Sequence, residues 1–225
     1  MTIAVPHTAQ NAPIRVILVD DHAVVRDGVA HLLAVQPDIQ VLGSFGDGAV
    51  AVRFAASEQP DVAIVDIAMP GMNGIEVARQ IHDACPASQV LMLTMYANPE
   101  YLYQAFLAGA RGYVLKESAG SEVVEAVRTV HGGQRYLSRR IDRDALERFF
   151  EERGGDDPVG LLSARERQVL QLIVEGRTSA EVALQLSLSP KSVDTYRSRM
   201  MRKLKLEDLP ALVKFAIRNG ITSVE

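Results

Sequence analysis

Apolar positions follow two different rhythms along the chain. Over the first 131 residues, short aliphatic runs alternate with helical patterns. The runs are Arg15–Val19, Ile39–Gly43, Asp61–Val65, Gln89–Leu93 and Gly112–Leu115. They are nearly continuous rather than alternating, the pattern of strands covered on both faces. Between and after them, apolar residues recur at helical spacing over about Ala23–Val35, Ala49–Ser57, Gly74–Asp83, Pro99–Ala108 and Ser121–Val130. Five strand–helix units in succession predict a parallel sheet with helices on both sides.

Right-handed crossovers leave few topologies, and the predicted one is α/β and flavodoxin-like, with five strands in the order 2-1-3-4-5. His131-Gly-Gly133 closes the fifth helix. In the polar stretch Gln134–Asp157, the spacing of Leu146, Phe149 and Phe150 suits a short amphipathic helix, and Gly154–Pro158 reads as a flexible connector. Beyond it the rhythm is helical throughout. Ser163-Ala-Arg-Glu166 and Thr178-Ser-Ala-Glu181 have the form of capping boxes, and Gly176 stops the first of these helices. Ser189-Pro190 opens a third helix that runs through Leu204, and a fourth spans about Leu209–Asn219. The predicted organisation is an α/β domain over 14–131, a linker over 132–157 and a small all-α domain over 158–225.

Charge divides the chain at the same places. Of the net −4, residues 14–131 carry −7 and residues 158–225 carry +4. An acidic half joined to a basic half suggests different partners, and the basic half suits the phosphate backbone of nucleic acid. Scattered solvated charge would explain +4 almost as well, so the motifs decide. Cys85 is the single cysteine, which excludes an internal disulfide and a four-thiolate zinc site and fits a reducing cytoplasm. No run approaches the roughly 18 to 20 apolar residues of a membrane span, and residues 1–12 do not resemble a secretory signal.

Candidate chemistry collects at the predicted strand ends. Asp20 and Asp21 end the first strand and Asp66 ends the third, and these strands are neighbours in the predicted order. Their C-terminal ends lie at the topological switch point where ligands of such sheets bind. Three gathered carboxylates repel one another, and a hard divalent cation such as Mg²⁺ relieves that. Asp66 is then a carboxylate nucleophile for a phosphoryl group. Thr94 after the fourth strand and Lys116 after the fifth place a hydroxyl and an ammonium where phosphoryl oxygens would lie. Taken singly, each residue has an ordinary explanation; Asp21, for instance, could cap the next helix.

In the Ser189–Leu204 helix, Val193, Tyr196, Met200 and Leu204 form an apolar face. Lys191, Asp194, Thr195, Ser198 and Arg202 lie opposite, with Arg197, Arg199, Lys203 and Lys205 adding positive charge. A polar second helix of a tight helix-turn-helix is what enters a major groove. A helical dimerisation module with a solvated basic face has the same periodicity.

Two sets of motifs sharpen both halves. Val19-Asp-Asp-His22, Val65-Asp-Ile-Ala-Met-Pro-Gly-Met-Asn-Gly74, Leu93-Thr-Met95 and Gly112-Tyr-Val-Leu-Lys116 resemble the signature of bacterial response-regulator receiver domains, over about Ile14–His131. Leu162–Leu170, Glu175-Gly176 and Ser189–Leu204 are similar to the LuxR-type helix-turn-helix of the NarL/FixJ response regulators, over about Gly160–Thr222. The resemblance implies that a sensor histidine kinase phosphorylates Asp66. It implies Mg²⁺ held by Asp21, Asp66 and the Ala68 backbone carbonyl, with Asp20 assisting, and a switch coupling Thr94 to Tyr113. For the second half it implies Lys191 and Arg199 on the DNA backbone, and Asp194, Thr195 and Ser198 facing base edges. Dimers on phosphorylation bound to paired half-sites are expected, since a single small module rarely gives specific affinity, with a cytoplasmic location and RNA polymerase as a partner. Glu117 stands where many receivers have proline, and Asp194 where many relatives have a basic residue. A Mg²⁺-dependent phosphatase using Asp66 is the competing enzyme reading; such enzymes want a second carboxylate two positions on, where this chain has Ala68. A kinase-independent DNA-binding protein is the third.

Overall fold

The computed structural model describes residues 12–153 and 157–222. In the first half, five strands alternate with five helices: β1 (Ile14–Val19), α1 (Ala23–Ala34), β2 (Ile39–Phe45), α2 (Gly48–Glu58), β3 (Val62–Val65), α3 (Gly74–Ala84), β4 (Gln89–Thr94), α4 (Pro99–Leu107), β5 (Ala110–Leu115) and α5 (Ala119–His131). A 3₁₀ turn, Lys116–Ser118, leads into α5, so that helix begins two residues before the predicted start. The strands form one parallel sheet in the order β2-β1-β3-β4-β5, as the sequence predicts. Register follows the apolar runs, with Val19 paired to Val65 and Val65 to Met92.

The sheet has six strands rather than five. Tyr136–Leu137 forms a short β6 that pairs with β5 through Gly112–Tyr136 and Tyr113–Leu137. Two residues in a polar stretch give no periodicity, so sequence pattern could not show this strand. The expected amphipathic helix exists as α6 (Arg143–Arg153). Its Phe150 packs edge-on against Tyr103 and Phe106 of α4, and Phe149 against Tyr103. Gly154–Asp156 of the expected flexible connector lie outside the described residues.

Alternate side chains of each strand feed two cores. Ile17 and Val19 pack with α2, α3 and α4 residues such as Ala55, Ile81 and Leu102. Val16 and Leu18 pack on the other face with Val29 and Leu33 of α1 and Val123 and Val127 of α5. Burial on both faces is what the near-continuous apolar runs require.

The second half contains α7 (Ala164–Val174), α8 (Ser179–Gln185), α9 (Pro190–Leu204) and α10 (Leu209–Arg218). Both predicted capping boxes form: Ser163 and Thr178 accept from the third helical amide while Glu166 and Glu181 reach back to the cap amide. Ser189 caps α9 by accepting from the Ser192 amide, with Pro190 in the first turn. A third core holds these helices together, and α9 contributes fully buried Val193 and Met200 to it.

Candidate functional site

Parallel strands end together, so the loops after β1, β3, β4 and β5 meet at one sheet edge. There the structure brings Asp20, Asp21, Asp66, Thr94 and Lys116 together. Asp66 is 1% exposed and Thr94 fully buried. The Lys116 ammonium lies 2.7 Å from Asp66 Oδ2 and 2.8 Å from Asp20 Oδ2. Asp20 also accepts from the His22 backbone amide at 2.8 Å. Potential ligand atoms of Asp20, Asp21, His22 and Asp66 all lie within 4.8 Å of one another. Asp21 does not cap α1; His22 is the N-cap and no side chain closes that end. The ordinary explanation for Asp21 therefore fails.

Electrostatics show the strain of this gathering. Burial raises the Asp66 carboxyl above its ordinary pKa, and the hydrogen bond and charge of Lys116 offset only part of that. Burial pulls Lys116 down, but its bonds to Asp20 and Asp66 outweigh this and leave it raised. The one ammonium bridges two of the three carboxylates, Asp21 lies 3.0 Å from the His22 imidazole, and the buried Asp66 Oδ1 has no hydrogen-bond partner among the described residues.

The loop that carries Asp66 is held by close backbone approach. The Gly74 amide donates to Ile67 O at 2.9 Å, and a Cβ on Gly74 would lie 1.8 Å from Asp66 O. Only glycine fits there. Tyr113 is fully buried, and its hydroxyl donates to the Tyr96 carbonyl at 2.8 Å. Burial, then neighbouring Tyr101 and Asp66, push its phenol well above the ordinary value. Ala68 sits exposed in the loop after Asp66.

The second site is the outer face of α9. Lys191, Asp194, Thr195, Ser198, Arg199 and Arg202 are all exposed and line one shallow groove. Two side chains are already engaged within the domain. Asp194 accepts from Ser179 Oγ at 3.0 Å, and Thr195 Oγ donates to the Lys191 carbonyl at 2.9 Å. Lys203 contributes less to this face than its position in the sequence suggests, because its ammonium is 2.6 Å from the buried Glu166 carboxylate.

Between the halves lies a set of contacts that sequence reasoning missed. Asn73 Oδ1 accepts from the Glu76 amide and caps α3, while Asn73 Nδ2 donates to Gln171 Oε1 at 3.0 Å and to Ile221 O at 3.3 Å. Glu76 pairs with Arg167, and Arg79 lies 3.5 Å from Asp157. Glu76, Arg79, Arg167 and Gln171 are polar positions on helices, Asn73, Asp157 and Ile221 lie in the connecting segments, and nothing in their spacing marks them as a joint.

Comparison with known proteins covers both halves of the chain. The family model described as "Response regulator receiver domain" matches residues 16–128, and that described as "Bacterial regulatory proteins, luxR family" matches residues 160–216. The oxygen regulatory protein NreC of Staphylococcus carnosus (strain TM300) is 36% identical over 213 residues, covering 92% of this chain and 98% of NreC. A solved structure of the Salmonella typhimurium RcsB response regulator superposes with a TM-score of 0.60 at 26% identity, covering 93% of this chain and 99% of that one. An RcsB–DNA complex is similar with a TM-score of 0.54 at 26% identity, over 92% and 98% of the two chains. Receiver motifs at one sheet edge and a LuxR-type helix-turn-helix behind them place this chain in the family of two-component response regulators that join a receiver domain to a LuxR-type DNA-binding domain.

Proposed function

We propose that Asp66 accepts a phosphoryl group from the phosphohistidine of a sensor kinase, and that this controls how the chain binds DNA and regulates transcription. The observation that carries the reading is the Lys116 bridge to Asp66 and Asp20, beside an Asp66 Oδ1 left without a partner. An Asp66 oxygen attacks phosphorus in line. The P–N bond to the donor imidazole breaks, the imidazole leaves with its electron pair, and a P–O bond forms an acyl phosphate. Lys116 is placed to pair with the transferred oxygens, and Thr94 to hydrogen-bond one of them.

The donor set suits Mg²⁺: Asp20, Asp21 and Asp66 supply carboxylate oxygens and the Ala68 backbone a carbonyl, all hard ligands. When bound, the ion would offset the negative charge shared by the carboxylates and the phosphoryl group. Ala68 offers no general acid, which favours a phosphoryl group held as a signal over rapid turnover. Thr94 and Tyr113 would couple the site to the rest of the domain.

In this reading residues 14–131 are the receiver, 132–157 the linker and 158–225 the DNA-binding domain. Lys191, Arg199 and Arg202 hold the DNA backbone, and Asp194, Thr195 and Ser198 face base edges in the major groove. Phosphorylated dimers would occupy paired half-sites and meet RNA polymerase in the cytoplasm. Among the described residues no helix is long and apolar enough to cross a membrane. Footprinting on genomic fragments tests the reading: protection should strengthen on treatment with a small phosphodonor and Mg²⁺ in the wild type and stay unchanged in Asp66→Ala. Equal strengthening in both would refute it.

A further inference from the structure

We infer that Asp194, held in place by Ser179, makes cytosine the preferred base at one position of each half-site. The inference rests on the DNA-binding reading proposed above and names the base that this face selects. Asp194 lies in the N-terminal part of α9, the part of a recognition helix that meets base edges. Among the described residues that line the groove it is the one carboxylate, beside Lys191, Arg199 and Arg202. A carboxylate there meets phosphates as well as bases. Phosphate repels it, so it favours binding only where a base donates a hydrogen bond to it.

The side chain is set for that role within its own domain. Ser179 is the first residue of α8, and its Oγ donates to Asp194 Oδ1 at 3.0 Å. The Arg197 guanidinium lies 3.8 Å from the same oxygen. No contact among the described residues falls on Oδ2, and the Asp194 side chain is still 53% exposed. The Ser179 bond is not what joins the two helices, because Val182 and Ala183 of α8 and Val193 of α9 already share one buried core. A bond between exposed side chains adds little to stability, but it fixes a rotamer before the partner arrives. A fixed acceptor discriminates where a swinging one would adapt.

The four bases differ in what they show to a carboxylate in the major groove. Guanine presents N7 and O6 and thymine presents O4, all acceptors that repel it. Adenine presents a donor at N6, but the N7 acceptor beside it meets a second oxygen lone pair. Cytosine presents its N4 amino group with no acceptor next to it on the same base. A carboxylate offers acceptors alone, so cytosine is the base that matches it. Thr195 does not compete for this role, because its hydroxyl is turned to the Lys191 carbonyl.

The test uses the full chain treated with a small phosphodonor and Mg²⁺. Duplexes are selected from a random pool by the wild type, Asp194→Asn, Asp194→Ala, Ser179→Ala and Ser179→Thr. The enriched site is then made with each of the four bases at the position that changes, and binding is measured by fluorescence anisotropy. The wild type should enrich cytosine there and bind it about tenfold more tightly than the other three bases, the discrimination of one good base contact. Asp194→Asn should change the preferred base to adenine, whose N6 and N7 suit an amide, and Asp194→Ala should bind all four within about twofold. Ser179→Ala should weaken the cytosine preference, and Ser179→Thr, which keeps the hydroxyl, should retain it. Asp194 variants that select the wild-type base at every position would overturn the inference. So would an Asp194→Ala that gains the same factor on all four duplexes, since the carboxylate would then act only by repelling phosphate. A cytosine preference unchanged in Ser179→Ala would overturn the positioning role of Ser179. A wild-type pool with no enriched sequence would refute the DNA-binding reading itself, and this inference with it.

Discussion

The Lys116 ammonium sits 2.7 Å from Asp66 Oδ2, and both side chains are almost wholly buried. Removing one member of such a pair leaves an uncompensated charge, which typically costs about 3–5 kcal/mol. Lys116→Met is therefore expected to lower the stability of the receiver by several kcal/mol in metal-free buffer, with added Mg²⁺ recovering part of the loss. Urea denaturation with and without Mg²⁺ measures this. Equal stability of variant and wild type without metal would mean that Lys116 does not balance the carboxylates.

Gly74 gives a second expectation. A methyl group there would collide with the Asp66 carbonyl at 1.8 Å, and backbone cannot yield as a side chain tip can. Gly74→Ala should cost about 1–3 kcal/mol or more and slow phosphoryl uptake at Asp66. Denaturation and the time course of mass gain check the two effects. An alanine variant with wild-type stability and uptake would show that the loop has room this structure does not give it.

Glu166 makes the DNA-binding domain sensitive to acid. Burial pushes its carboxyl up, but the Lys203 and Ser163 hydrogen bonds outweigh that and hold it below the ordinary value. A depressed folded pKa stabilises the fold above the unfolded value of about 4.3, and that contribution is lost as pH falls through the folded value. Lys203→Met should flatten this dependence and cost about 1 kcal/mol at neutral pH, a modest figure because Lys203 is partly exposed. Thermal melts from neutral pH downward would show it. A variant as acid-sensitive as the wild type would contradict the assignment.

The α9 cations should separate by role. Arg202 is exposed on the groove, and Arg202→Ala should reduce the salt slope of DNA binding by about 1. Lys203→Met should change the slope less, since its ammonium is committed to Glu166. Anisotropy titrations at several salt concentrations distinguish them. The opposite order would mean that Lys203 leaves Glu166 for phosphate when DNA binds.

What the sequence could reveal follows from how local each signal is. Continuous apolar runs gave the five parallel strands and their order, because burial on both faces leaves that mark. Strand ends converge in such a sheet, so Asp20, Asp21, Asp66, Thr94 and Lys116 could be placed together before any geometry. Capping boxes at Ser163 and Thr178 and the Ser189-Pro190 start were readable because each joins residues three apart or fewer. The joint was not readable. Asn73 meets Gln171 across 98 residues, and a polar residue that crosses a domain boundary looks like one that faces water. Lys203 escaped for the same reason: its partner Glu166 lies 37 residues away and was already accounted for as a cap. β6 is too short for any period to appear.

The most direct measurement is the intact mass of the purified chain after incubation with a small phosphodonor and Mg²⁺, run beside Asp66→Ala. The wild type is expected to gain the mass of one phosphoryl group, with the modification mapping to Asp66, while Asp66→Ala gains none. An unchanged wild-type mass, or the same gain in both proteins, would contradict the assignment of Asp66 as the phosphoacceptor.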